Sequence, residues 1–234
     1  MKRSPNRDIL TRTARALSPL LEELVFVGGA TTELLLTDLT APEVRPTRDV
    51  DAIVEVAGYA AYQHLSERLR QRGFFEDVAP EAPTCRWKYG ELILDVMPTL
   101  ENILGFTNRW YPSAMTSSQN IMLEPDLTVR VVDAPHFLAT KLEAFYGRGN
   151  GDFRMSHDLE DLILVLDGRF ELLEEIHQSS AELSKYLSQQ MHALLEERNF
   201  TDALPGFLAP DAASQARADL ILERMENIAR PVWN

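Results

Sequence analysis

Two aspartates separated by one residue, Asp49 and Asp51, are the first positions whose spacing suggests chemistry. They open the run Asp49-Val50-Asp51-Ala52-Ile53-Val54-Glu55-Val56, which reads as a strand, and on a strand residues i and i+2 share a face. Both carboxylates then project together and repel unless something positive sits between them. Hard oxygen ligands favour Mg²⁺ for that role, while Val50, Ala52 and Val54 face the other side and pack. An acidic strand end in solvent is the plain alternative.

Three further features join this pair. Asp95 lies in Leu92-Ile93-Leu94-Asp95-Val96, a single acid in an apolar run, and a charge there is costly unless paired or metal-bound. Gly28-Gly29 follows a short apolar stretch and precedes a helical pattern. Glycines at such a turn let phosphate oxygens approach backbone N–H groups, with Thr31 and Thr32 adding hydroxyls, although most Gly-Gly pairs are only turns. Arg45 and Arg48 immediately precede the acidic pair and suit the charge of a triphosphate. Further on, Lys141 sits in an apolar helical pattern with Phe137, Leu138 and Phe145 and needs an anionic partner. Asp158 and Asp161 are three apart and share a helix face, although Asp158 equally suits an acid in a first helical turn.

Other patterns carry less. His157 beside Asp158 does not make a base, because neighbouring helix residues point in different directions, and no Ser-His-Asp, Cys-His or metal-ligand histidine spacing is present. Gly147-Arg148-Gly149-Asn150-Gly151 follows a helix rather than a strand and reads as a connector, from which Arg148 or Arg154 could reach substrate. Trp87, Tyr89, Trp110 and Tyr111 lie among Arg86, Lys88 and Arg109, an interleaving that either stacks single-stranded RNA bases or fills a sheet.

The elements that must position these residues follow from periodicity. Residues 4–23 read as a helix, Leu24–Val27 as a buried strand, 30–36 as helical, 49–56 as a strand and 59–72 as a helix stopped at Gly73. Cys85–Tyr89 and Glu91–Val96 read as strands about a turn at Gly90, and 127–132 as another strand. Beyond Asp133-Ala134-Pro135, a helix start, the pattern is helical: 135–146, 156–166, 170–180, 181–198 and 211–228. The expected organisation is α+β: a mixed α/β half over residues 1–132 and a helical half over 133–234.

Composition bounds the partners. The 234 residues carry 23 Lys+Arg against 36 Asp+Glu, a net charge of −13, which disfavours holding nucleic acid by bulk charge. From Phe170 onward there are eleven acidic and five basic residues, so the helical tail suits a packing or partner surface better than an RNA cradle. The first twenty residues reverse the sign, with Lys2, Arg3, Arg7, Arg12 and Arg15 against Asp8, and form either a solvated face or a contact for an anionic partner. The single cysteine, Cys85, excludes an internal disulfide and any multi-cysteine zinc site, and fits a reducing, cytoplasmic setting. No apolar run approaches the roughly 20 residues that span a bilayer.

Taken together, strand, Gly28-Gly29, helix, Asp49-x-Asp51 on the next strand and Asp95 on a later one resemble the DNA-polymerase-β-type nucleotidyltransferase superfamily. The gap from Gly29 to Asp49 is long for it. Lys141-Leu142-Glu143-Ala144-Phe145 and Ser156-His157-Asp158-Leu159-Glu160-Asp161-Leu162 resemble the lysine and aspartate motifs of the AbiEii/AbiGii-type nucleotidyltransferases, a family that includes toxins of toxin–antitoxin pairs. The resemblance spans roughly Val25–Arg169. It implies a nucleotidyltransferase fold and NMP transfer from an NTP to an acceptor hydroxyl. It also implies two Mg²⁺ ions on Asp49, Asp51 and Asp95, a triphosphate cradled by Gly28, Gly29, Thr31 and Thr32, and charge offset from Arg48 and Lys141. Asp158 is implied to complete the polar network. The implied acceptors are an RNA 3′ end such as that of tRNA, a protein, or a small molecule. An antitoxin partner is implied and a membrane is not. The alternative is a non-catalytic nucleotide-binding or interaction protein of the same fold.

Overall fold

Alternating apolar and polar residues in the first part of the chain close into one mixed sheet. The computed structural model describes residues 4–38, 40–148 and 151–230. Its strands are β1 (Leu24–Val27), β2 (Asp49–Val54), β3 (Phe75–Glu76), β4 (Arg86–Tyr89), β5 (Leu92–Pro98), β6 (Gln119–Glu124) and β7 (Leu127–Val131). They form a seven-stranded sheet in the order β3-β4-β5-β2-β1-β7-β6. The neighbours β2–β5 and β1–β7 run parallel, and the other four pairs run antiparallel. Interspersed are α1 (Pro5–Leu17), α2 (Thr32–Leu35), α3 (Tyr59–Gln71), α4 (Glu101–Leu104) and α5 (Tyr111–Ser117). The helices that follow are α6 (Ala134–Arg148), α7 (His157–Gly168), α8 (Leu172–Gln178), α9 (Ala181–Glu196), α10 (Arg198–Ala203) and α11 (Ala212–Ala229). The fold is α+β, as the sequence implies.

By internal contact the chain divides into two units. The first comprises Met1–Glu33 and Arg45–Asp133. Its central strand β1 is buried throughout, and at the start of β2 burial alternates: Val50 and Ala52 are buried, while Asp49 and Asp51 on the other face are half-buried. Leu10, Ala14 and Leu17, at helical spacing on α1, are fully buried. The Ser4 hydroxyl caps α1 by accepting the Arg7 N–H at 3.2 Å. The helix expected over 4–23 ends at Leu17 and continues as a tighter 3₁₀ segment, Ser18–Glu23, where Pro19 has no N–H to carry the α pattern on.

The second unit comprises Leu34–Val44 and Ala134–Asn234. Phe137, Leu138, Leu142, Phe145, Leu159, Leu162, Leu166, Leu187 and Met191 are buried in its core. The long stretch between Gly29 and Asp49 thus contains a segment that belongs with the helices. The Gly168 carbonyl accepts the Thr37 and Asp38 N–H groups, each at 2.9 Å. A Cβ at Gly168 would lie 2.9 Å from Leu36 Cδ2, so glycine allows this approach. Arg217 ties Asp167, at 2.7 Å, to Asp38, at 3.0 Å. Among the described residues no helix is long and apolar enough to cross a membrane.

Candidate active site

Strand register brings the acids of the first unit together. Asp51 on β2 lies beside Asp95 on the parallel neighbour β5, and Asp49 is two residues back on the same face of β2. On the other flank of β2, Asp51 pairs with Val27 of β1, directly before the Gly28-Gly29 turn. Gly28 has φ +72°, and a Cβ there would fall 2.0 Å from Asp51 Oδ2. Both the backbone conformation and the carboxylate beside it therefore require glycine.

Two residues outside the sequence-derived set organise these acids. Arg86 on β4 is paired in register with Asp95 across the hairpin. Its Nε and Nη2 donate to the two Asp95 oxygens at 2.8 and 2.7 Å, and Nη2 also donates to Asp49 Oδ2 at 3.1 Å. This bidentate fork satisfies a carboxylate whose side chain is only 9% exposed. The Asp95 carboxylate in turn holds the Arg86 guanidinium above the ordinary arginine range, against the opposing effect of burial. Asn6, buried on α1, donates to the Arg45 carbonyl at 2.9 Å and accepts the Thr47 N–H at 2.9 Å. It thereby pins the approach to β2, where Thr47 Oγ1 donates to Asp49 Oδ1 at 2.8 Å. The Arg86–Asp95 pair was open to sequence reasoning, since a hairpin turning at Gly90-Glu91 sets these residues opposite each other. Asn6 carries no comparable signal.

The remaining sequence-derived residues are placed as follows. Gly29 opens the 3₁₀ turn Gly29–Thr31. Thr31 and Thr32 are wholly buried; the Thr31 hydroxyl donates to the Gly28 carbonyl at 2.8 Å, bracing the turn rather than facing solvent. Thr32 Oγ1 has no hydrogen-bond partner among the described residues. Arg48 is exposed beside Asp49. Arg7 and Arg15 of the basic first helix are engaged within the unit: Arg7 donates to the Leu123 carbonyl at 2.9 Å, and Arg15 pairs with Glu124 and Asp126, each at 2.6 Å. Trp87 and Trp110 are core residues, not open stacking platforms, because their positions face inward. Of the basic residues considered as contacts for an anionic partner or substrate, Lys2 and Arg3 lie outside the described residues, as does the side chain of Arg148.

In the second unit Lys141 finds the anionic partner its apolar helix demands. Its Nζ donates to Asp158 Oδ1 at 3.1 Å and to Asp161 Oδ2 at 2.6 Å. The spacing of the two acids on α7 aims both at one ammonium. Asp161, 2% exposed, is the more deeply held of the pair. His157 is exposed and faces Glu160 at 3.1 Å.

The sequence matches the family described as "Nucleotidyl transferase AbiEii toxin, Type IV TA system" over residues 8–231. The chain belongs to this AbiEii nucleotidyltransferase toxin family. Among solved structures, the AbiEii-family chain is similar to an antigenic nucleotidyltransferase-like protein from Paracoccidioides brasiliensis. The identity is 20%, the TM-score 0.51, and the match covers 80% of this chain and 88% of that one. This likeness gives the fold. No curated protein sequence matches the chain.

Asp49 and Asp51 form a donor set of the kind suited to a hard divalent cation: carboxylate oxygens on one strand face, with Asp51 Oδ2 packed into the space that a Cβ at Gly28 would fill. Among the described residues no group of three or more His, Cys, Asp or Glu side chains is arranged around one ion. Arg86 accounts for Asp95, both of whose oxygens accept its N–H groups.

Proposed function

We propose that this AbiEii-family chain transfers a nucleoside monophosphate from an NTP to an acceptor hydroxyl, with Mg²⁺ held by Asp49 and Asp51. The observation that carries the reading is the placement of both carboxylates on one face of β2 against the Gly28 turn. Mg²⁺, when bound, supplies Lewis-acid stabilisation of charge on the transferring phosphoryl group and the attacking oxygen. Thr47 orients Asp49 through its 2.8 Å hydrogen bond. Gly28 and Gly29 let triphosphate oxygens approach the backbone, and exposed Arg48 offsets their charge.

The acceptor in this reading is an RNA 3′ end such as that of tRNA, or a side-chain hydroxyl of a protein, and an antitoxin is the regulatory partner. The test is incubation of the full chain with each α-³²P-labelled NTP, Mg²⁺ and total cellular RNA and protein, beside Asp49→Asn and Asp51→Asn. Label is expected in an RNA or protein band and absent with either variant. Failure to label anything with any of the four NTPs, in a sample that binds neither Mg²⁺ nor nucleotide by calorimetry, overturns the reading.

A further inference from the structure

The acidic cluster of the first unit already contains a cation: the Arg86 guanidinium. Its Nε and Nη2 donate to both oxygens of Asp95, and Nη2 also donates to Asp49. Both oxygens of a carboxylate cannot at once accept a bidentate guanidinium at 2.7–2.8 Å and present the same lone pairs to a small hard ion. Asp95 needs a positive partner in any state, because its side chain is almost wholly buried and an unpaired carboxylate there is costly. Arg86 itself is 22% exposed, so its guanidinium is the partner with access to solvent.

We propose that Arg86 is a positioning residue that neutralises Asp95 and Asp49 in the metal-free protein, and that a divalent ion gains Asp95 only in competition with it. Arg86 therefore sets the divalent-ion concentration at which the cluster loads. It also keeps the carboxylates from repelling one another before loading. The inference rests on the Mg²⁺-dependent reading above.

The experiment is calorimetric titration of the full chain with MgCl₂ and with MnCl₂, using wild type, Arg86→Gln and Arg86→Lys, together with melting curves in EDTA and in Mg²⁺. Removal of a unit charge in direct contact with the acids is expected to tighten divalent binding in Arg86→Gln by at least about tenfold. The same variant melts lower than wild type in EDTA and recovers in Mg²⁺. Arg86→Lys keeps the charge without the fork, so its affinity falls between the two.

Affinity unchanged or weaker in a folded Arg86→Gln protein overturns the proposal. Should Arg86→Gln not fold, an Arg86→Lys affinity equal to that of wild type overturns it instead. Wild-type binding and label transfer without tightening in the variants sink this proposal alone. No divalent binding and no transfer in any of the three proteins sink it together with the reading on which it rests.

Discussion

The two charged clusters of this chain are built on opposite plans. In the first unit one guanidinium, itself 22% exposed, bridges two acids that differ sharply: Asp49 is 34% exposed and Asp95 only 9%. A third acid, Asp51, lies beside them on the neighbouring register position. In the second unit one ammonium serves two aspartates, and Lys141, Asp158 and Asp161 are 10%, 13% and 2% exposed. The first cluster is partly open to solvent at Arg86 and Asp49, and Asp51 packs against the Gly28 turn. The second is nearly dry, so its charges depend on one another. An acidic group at a partly solvent-facing strand end is suited to binding, whereas the same residue type deep between helices is suited to holding a partner in place.

The comparison breaks most clearly at Asp51. Asp51→Asn removes a charge from the exchangeable cluster, and nucleotidyl transfer is expected to fall by roughly 10³-fold or more. The melting temperature should stay within about 2 °C of wild type. A parallel loss of fold and activity would show that the first cluster is as structural as the second. Asp161→Ala tests the other side. It leaves Lys141 without its closer partner in a buried setting, and urea denaturation should show a loss of about 3 kcal/mol. A stability near wild type would place the burden on Asp158.

Asn6→Ala lies between the two cases. It strips the Arg45–Thr47 approach of two side-chain hydrogen bonds, leaving one backbone acceptor and one donor without them. A loss of about 2 kcal/mol in urea denaturation is expected, accompanied by weaker divalent binding.

A smaller effect probes the floor of the first cluster. Burial first, then the charges of Asp95 and Asp51, push the Cys85 thiol up to about 12 from its ordinary 9.0. The folded state thus retains a proton that the unfolded chain releases. The stability this contributes is fully present below pH 9 and is lost as pH rises through about 12. Ellman's reagent at pH 8 should leave Cys85 unmodified in the native protein and label it fully in urea. Rapid native labelling would mean that the sheet opens beneath the carboxylates. Smallest of all, Arg15→Ala should leave both the melting temperature and transfer unchanged, because its pairs with Glu124 and Asp126 are solvent-exposed and screened by salt.

Much of this organisation was legible in the residues themselves. The period-2 pattern of 49–54, the apolar run around Asp95 and the helical spacing after Ala134 each carry enough buried apolar surface to declare their elements. The β6 strand was not legible: Gln119, Asn120 and Met122 are exposed on a sheet edge, so no hydrophobic alternation marks them. The two-residue β3 and the single-turn α4 are too short to show a period. Among site residues, the Asp49–Asp51 face and the shared helix face of Asp158 and Asp161 follow from local spacing, whereas the pairing of both with Lys141 needs the packing of α6 on α7. Arg86 among the aromatics reads as either a stacking neighbour or a sheet residue, because its charge has meaning only once the hairpin register sets it opposite Asp95. Thr31 and Thr32 looked like phosphate donors, and their burial follows from the tight turn that packs them inward.

The Leu34–Val44 segment has a consequence for how the chain is made. Its Thr37 and Asp38 N–H groups bond to a carbonyl far later in the chain, at Gly168, and Asp38 meets Arg217 later still. During synthesis this segment leaves the ribosome well before α7 and α11 exist. The strands at 24–27 and 49–54, on either side of it, must therefore pair around a loop whose own partners are not yet translated. Contacts of such long sequence separation form late and slow the folding of the unit that contains them. Gene fragments cut at the start of α6 would yield a helical piece lacking this strap, so the two halves are expected to refold productively only as one uninterrupted polypeptide.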